Sequence, residues 1–154
     1  RWRFVVNHAG LWLALVAGFW GAPDREQMRA MVGREVPTRE AFDMEGRTTM
    51  LDCELQLVDF KIDYYAEGSP SMFEATVAVD GEPATLRVNS PHHRTWSEMI
   101  YLVSYDVESP DVARYCVVEV VREPWRWLSV VGIVMLIVGA VLMFAAGPRK
   151  EGER

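Results

Sequence analysis

Charged residues are missing from two long stretches of this 154-residue chain. Residues 4–22 (FVVNHAGLWLALVAGFWGA) and 128–146 (LSVVGIVMLIVGAVLMFAA) contain no Asp, Glu, Lys or Arg, and each has 19 residues. A helix needs about 20 residues to cross the hydrocarbon of a bilayer. Because backbone groups in lipid must be paired within the segment, both stretches are predicted to be transmembrane α-helices.

The first stretch resembles a secretory signal, but its apolar run is long and FWGAPD offers a poor cleavage site. We therefore expect it to be retained as a span. The chain begins with Arg1 rather than Met, which leaves open whether further spans precede it.

Catalytic signatures are also missing. The sequence has no G-x-S-x-G, no H-E-x-x-H and no phosphate-binding glycine loop. Its acidic residues are too dispersed to nominate an acid–base pair, and we interpret them as a solvated surface. No catalytic residue is assigned, and no feature points to nucleic acid.

Cysteine is scarce, with Cys53 and Cys116 alone, and neither lies in a C-x-x-C motif. Both fall in strand-like patterns outside the spans. A structural disulfide between them requires neighbouring strands. Two free buried thiols are the alternative, and the sequence leaves both open.

Histidine occurs three times. His92 and His93 are adjacent in a turn-like stretch (NSPHHRTW), which we interpret as an exposed polar loop, since adjacent strand residues point apart. His8 lies inside the first span, where an ionisable residue is costly and is a functional-site hypothesis. It is either an axial heme ligand or a partner in a helix-packing hydrogen bond.

Charge predicts the topology. The two ends carry five basic and two acidic residues, a net +3, whereas residues 23–126 carry 11 basic and 20 acidic residues, a net −9. Basic residues beside spans favour the cytoplasm. Both termini, including a tail at 147–154, are therefore predicted to be cytoplasmic and the middle extracytoplasmic. Tryptophans near the span ends are expected to lie at the membrane interfaces. They are Trp2, Trp20, Trp125 and Trp127.

The middle, residues 23–126, is predicted to be a mostly β domain, either a sandwich or an open barrel. It begins with a short juxtamembrane helix at 24–34, capped by Asp24, with Met28, Met31 and Val32 on one face. Alternating apolar residues then predict strands over 51–57, 58–64, 73–79, 84–88, 99–105 and 114–121. The alternation slips by one residue at Val58, which indicates a β-bulge or a bend. Asp80-Gly81 predicts a hairpin whose loop Glu82 and Pro83 lengthen.

Four motifs in order resemble the ResB family, also called CcsB, of the system II pathway of cytochrome c biogenesis. They are RFVVNHAGLWLALVAGFWGAPD (Arg3–Asp24), VDFKIDYYAEGSPSMF (Val58–Phe73), RVNSPHHRTWSEMIYLVSYD (Arg87–Asp106) and Glu123-Pro124. The first resembles the family's third span, and the last resembles the D-P before its final helix. The family usually has four spans, a larger outer domain and a Gln at the position of Leu102.

The resemblance implies heme transport to, and attachment on, apocytochrome c outside the bacterial inner membrane, with the β domain periplasmic. It implies a CcsA/ResC-like membrane partner, with which this chain would be a non-catalytic subunit of a cytochrome c heme lyase. The family's heme-binding histidine would be His8, as a ligand of the heme iron, and the second ligand would come from the partner. The competing hypothesis is a membrane-anchored adaptor or assembly factor that never contacts heme.

The charge pattern generates a topological prediction. In intact cells, a cysteine introduced near residue 110 should react with an impermeant maleimide, and one at residue 152 should react only after lysis. The reverse labelling pattern would contradict cytoplasmic termini.

Overall fold

The computed structural model of the chain describes residues 2–109 and 113–145. It divides into two units, which are taken separately. One unit holds the two terminal segments up to Arg25 and from Glu123, and the other is Glu26–Arg122. The predicted tail at 147–154 and the last predicted span residue, 146, lie outside the described residues.

The terminal unit is a pair of helices, α1 (Trp2–Trp20) and α2 (Arg126–Ala145). Each begins two residues before the predicted span. A short 3-10 turn, Ala22–Asp24, follows α1, because Pro23 lacks the amide hydrogen and the conformational freedom to continue an α-helix. Pro124 lies two residues before α2, where its missing N–H interrupts no helical hydrogen bond.

Within the described residues, α2 alone combines the length and the apolar composition that membrane crossing requires. α1 has 19 residues, but Asn7 and His8 reduce its apolar character. The first span therefore stays a prediction.

The second unit is a single antiparallel sheet of eight strands. They are β1 (Glu26–Gly33), β2 (Thr38–Asp43), β3 (Thr48–Tyr64), β4 (Pro70–Val79), β5 (Glu82–Arg87), β6 (His92–Thr95), β7 (Glu98–Tyr105) and β8 (Tyr115–Arg122). The order is β5-β4-β3-β2-β1-β8-β7-β6. Edge strand β5 contacts both β6 and β7, so the sheet curls toward closure. One curled sheet agrees with the open barrel rather than the two sheets of a sandwich.

The core lies inside this curled sheet and is built from alternating residues. Leu55, Leu86 and Ile100 are fully buried, as are Val77 and Val118 on β4 and β8. At about 25 cal/mol per Å² of apolar surface, each such side chain stabilises the fold by about 2 kcal/mol relative to exposure. The predicted mostly β domain is confirmed.

The predicted helix at 24–34 is wrong, because these residues form β1. Met28, Ala30 and Val32 are buried while Met31 is 60% exposed, which is the period of a strand. The backbone of β1 pairs with β8 along its whole length and with β2 at its start. The pattern Met28, Met31, Val32 fits one face of a helix equally well, so only the pairing with neighbouring strands distinguishes a strand from a helix. Asp24 caps no α-helix, and its carboxylate accepts a 2.7 Å hydrogen bond from Trp125 Nε1.

The predicted bulge is confirmed. The register of β3 against β4 shifts between Leu57 and Asp59, inside one continuous strand. Leu57 and Phe60 are consequently both buried, and Val58 is 51% exposed. The strand that was predicted to begin at Val58 is therefore the second half of β3.

The β4–β5 loop is shorter than predicted. Asp80 and Gly81 have φ of 50° and 88°, and Val79 pairs directly with Glu82. This is a two-residue turn with both central residues at positive φ, the geometry that Asp-Gly favours. Pro83 lies inside β5, which is tolerated because β5 is an edge strand.

One end of the sheet is held by a buried carboxylate, that of Glu98, which is 4% exposed. Arg94 on β6 donates to it, and Arg122 Nε on β8 donates at 2.7 Å. Arg122 also reaches Asp52 on β3 at 2.6 Å, and Arg94 reaches Asp80 at 4.0 Å. The network therefore joins strands that are not neighbours in the sheet.

The Glu98 network predicts a pH-dependent stability. Burial opposes ionisation of Glu98, but the hydrogen bonds from Arg94 and Arg122 outweigh it, so the pKa lies below its ordinary value of 4.5. A lowered acid pKa stabilises the fold above the ordinary pKa, and this contribution is lost as the pH falls through the folded-state value. Glu98→Gln should lower the free energy of unfolding by about 2–3 kcal/mol at pH 7, since it leaves two arginines short of a buried anion. Thermal unfolding of the detergent-solubilised chain, followed by near-UV circular dichroism, measures this.

Glu119→Gln is the matched control. Glu119 pairs with Arg29 at 2.8 Å on the outer face, where the arginine is 52% exposed. In this variant the free energy of unfolding should fall by less than about 1 kcal/mol. Equal losses in the two variants would contradict a special role for Glu98.

Candidate functional site

Close contact between α1 and α2 depends on glycine. A Cβ added to Gly132 would lie 2.5 Å from Ala14 N, and one added to Gly10 would lie 2.5 Å from Leu136 N. Neither glycine could therefore be replaced by a larger residue unless the two helices moved apart. Small residues at such a contact let two backbones approach, which is how helices associate in lipid, where no hydrophobic effect drives them together.

A polar side chain joins the two helices at the same contact. Asn7 Nδ2 donates a 2.9 Å hydrogen bond to the carbonyl oxygen of Leu136. The backbone of Asn7 lies against Gly139, where an added Cβ would come within 2.6 Å of Asn7 Cα. The helix-packing hydrogen bond considered for His8 is thus made by its neighbour.

His8 points away from the helix contact and is exposed on α1. Its Nδ1 lies 2.9 Å from the carbonyl oxygen of Phe4, one turn earlier. Its ring stacks on that of Phe4 with the centroids 3.7 Å apart. Because a carbonyl oxygen only accepts hydrogen bonds, Nδ1 carries the proton in the neutral ring.

In this neutral form the other ring nitrogen, Nε2, is an acceptor with a lone pair. No residue that the structure describes donates to Nε2. A neutral imidazole whose Nδ1–H is held by a backbone carbonyl is the usual form of a metal-ligating histidine, because that hydrogen bond fixes the tautomer and the ring orientation. With these features, His8 could serve as an axial ligand of an iron that binds on the exposed side of α1.

A second feature of the helix pair was not foreseen from the sequence. A cavity of about 290 Å³ lies where α1 ends and α2 begins, and residues that line it include Ala17, Gly21, Arg25, Glu123 and Trp125. Arg25 Nε lies 3.3 Å from Glu123 Oε1 at this end. Small residues on α1 leave the space open, and the paired charges give it a polar border.

The cysteines are free thiols, and both are buried. Cys53 lies on β3 and Cys116 on β8, and β2 and β1 separate these strands in the sheet. Burial raises the pKa of the Cys116 thiol to about 12 and also raises that of Cys53. Since the thiolate is the nucleophile, both side chains are unreactive at neutral pH and serve as packing residues.

The histidine pair does not form a metal site. His92 and His93 lie on β6 rather than in a loop, opposite Ile100 and Met99. Adjacent strand residues point to opposite faces. In residues 2–109 and 113–145, no three His, Cys, Asp or Glu side chains converge to hold a metal ion.

Two acidic residues depart from the solvated surface that the sequence predicted. Glu98 is buried as described, and Asp106 is 1% exposed. Arg114 Nε donates to Asp106 at 3.0 Å across the β7–β8 connection, and this hydrogen bond lowers the pKa of Asp106. Both carboxylates are paired, so they stabilise the fold and offer no free acid or base.

Comparison with known proteins identifies the family of the chain but no individual relative. No curated protein matches the chain. The model of the ResB-like family matches residues 1–113, which include α1 with His8 and strands β1 to β7. This match covers well over half of the sequence. The chain therefore belongs to the ResB-like family, and this membership indicates a membrane-associated role in cytochrome c biogenesis.

Proposed function

We propose that this protein carries heme on His8 and, with a CcsA/ResC-like membrane partner, delivers it to apocytochrome c. Heme is the cargo of the reaction, and this chain is a non-catalytic subunit of the heme lyase. The observation that carries the proposal is the His8 ring, with its Nδ1–H held by Phe4 O and its Nε2 available. Family membership supplies the pathway in which such a ligand is useful.

The position of His8 on the helix supports a shared heme site. Asn7 and the three glycines of the helix contact hold α1 against α2. Successive helix residues are turned by about 100°, so this packing leaves His8 on the outside. One histidine supplies one axial ligand, so a six-coordinate iron takes its second ligand from the partner.

The proposed orientation follows from charge and length. α1 and α2 both cross the bacterial inner membrane, with cytoplasmic termini and the β domain in the periplasm. His8 then lies in the cytoplasmic half of α1, about 7 Å below the surface at 1.5 Å per residue. That is the side on which newly made heme enters the membrane. The β domain, with no free catalytic group among its described residues, docks the partner or the apocytochrome.

The proposal is tested by His8→Ala in the complex with the partner. We expect heme content to fall at least about tenfold while co-purification of the two subunits is retained, because a methyl group offers no coordinate bond. Assembly should survive, since the hydrogen bond and the ring contact of His8 both stay within α1 and intramembrane hydrogen bonds average about 0.6 kcal/mol. Heme absorbance per complex is the measurement, and added imidazole should partly restore it.

His93→Ala is the matched control, because His93 is exposed on β6 and belongs to no ligand group. It should retain full heme. If His8→Ala also retains full heme with an unchanged spectrum, the proposal is wrong and the adaptor hypothesis is favoured. If His8→Ala prevents assembly, the variant His8→Gln, which keeps a polar side chain of similar volume, separates a lost ligand from a lost packing residue.

A further inference from the structure

Two hairpin turns lie at the end of the sheet where the chain enters and leaves it. Glu26 begins β1, Arg122 ends β8, and the two residues pair with each other. Glu98, the first residue of β7, also pairs with Arg122. In an antiparallel pair, residues before Glu98 extend in the direction in which the chain continues after Arg122. Trp96, in the β6–β7 turn, therefore lies at the same end of the sheet as Arg122, where the chain leaves β8.

The β2–β3 turn reaches the same level. Asp43, the last residue of β2, pairs with Met28 near the start of β1. The next residue, Met44, is therefore about level with Gln27, next to the point where β1 meets the preceding segment. The opposite end of the sheet holds the β1–β2 and β7–β8 turns.

Large apolar side chains are exposed at this end. Trp96 is 66% exposed and Met44 is 58% exposed. Phe42 and Met50, on the strands that flank the β2–β3 turn, are 45% and 64% exposed. Exposed apolar groups of this size on two turns at the same end of the sheet indicate a binding surface.

The connection between β8 and α2 is short, which limits the distance between the end of β8 and a membrane that α2 crosses. α2 is long and apolar enough to cross a membrane, and only residues 123–125 separate its first residue from β8. The four Cα–Cα steps from Arg122 to Arg126 span at most about 14 Å. The end of β8 therefore lies within a short distance of the bilayer surface when α2 is inserted, and Trp96 lies two residues before Glu98, which pairs with the last residue of β8.

We propose that the β2–β3 and β6–β7 turns rest on the interfacial layer of the lipid bilayer, with Met44 and Trp96 inserted among the headgroups. Tryptophan favours this layer because its ring is apolar and its N–H is polar. Methionine is apolar and adapts its shape to an irregular surface. The inference depends on α2 crossing the membrane and is independent of heme binding.

The charges at the β2–β3 turn indicate an apolar rather than an electrostatic attachment. Arg47 Nε lies 2.6 Å from Asp43 Oδ2, and Arg47 Nη2 lies 3.0 Å from Glu45 Oε2. The turn therefore carries no unpaired cation for an anionic headgroup. Contact with the bilayer should persist in a zwitterionic membrane and at high salt.

The test uses the full chain reconstituted in phosphatidylcholine vesicles with single introduced cysteines, Met44→Cys and Trp96→Cys, each carrying a nitroxide. The matched controls are Val36→Cys and Val107→Cys, in the two turns at the opposite end, which are 71% and 69% exposed. Buried Cys53 and Cys116 react too slowly to be labelled. For each nitroxide, the rate of collision with oxygen, which concentrates in lipid, is compared with the rate of collision with a water-soluble nickel chelate.

We expect the ratio of oxygen to nickel collisions at positions 44 and 96 to exceed that at positions 36 and 107 several-fold, with no change in 1 M salt. Equal ratios at all four positions would overturn the proposal. So would a difference that appears only after a partner protein is added, since the surface would then bind protein rather than lipid. All four residues are exposed at turns, so none of the substitutions removes a core contact.

Discussion

The closure of the β domain at one end depends on a buried anion, the carboxylate of Glu98. The strands next to each other in a sheet are held by their backbones, but a curled sheet also needs contacts between strands that are not neighbours. Arg122 and Arg94 supply them, because each binds Glu98 and a second carboxylate, Asp52 for Arg122 and Asp80 for Arg94. Without Glu98, two arginines that are only 23% exposed would lack their central partner. The cost of an unpaired buried charge explains why all three residues must act together.

This network also stabilises the end of the sheet at which the chain enters β1 and leaves β8. Glu98 begins β7 directly after the turn that holds Trp96, and Arg122 is the last residue before the segment leading to α2. The carboxylate therefore sets the position of that turn relative to the point where the chain leaves the sheet. The helix pair is organised by a different constraint, the need of two helix backbones to approach closely enough to pack. Gly10, Gly132 and Asn7 meet that need and leave His8 outside.

Much of the architecture could be predicted from the sequence, because it follows from local patterns. The two uncharged stretches predicted both helices to within two residues at their starts, and alternation predicted the long strands and the bulge after Leu57. Predictions failed where a pattern fitted two structures. Met28, Met31 and Val32 suit a helix as well as a strand, and only pairing with β8 decides. β2 was missed because a single buried residue, Ala41, gives no visible period.

The candidate site shows the same limit. His8 is identifiable from the sequence because an ionisable residue in an apolar stretch is unusual, and the carbonyl of Phe4 lies one helical turn away. The role of Asn7 could not be foreseen, since its partner Leu136 is 129 residues distant. Glu98 was assigned to the solvated surface for the same reason, because Arg122 is 24 residues away. Long-range polar pairs leave no local pattern.

The central claim is that this chain supplies one axial nitrogen to heme iron. It is tested most directly by isotope labelling of its histidine in the partner complex. A chain with His92→Gln and His93→Gln, in which His8 is the remaining histidine, is prepared with ¹⁵N-histidine and assembled with unlabelled partner and ferric heme. Electron–nuclear double resonance then identifies the coordinated nitrogens. The account predicts one ¹⁵N coupling of the strength of a directly bound imidazole, and a spectrum with ¹⁴N couplings alone would contradict it.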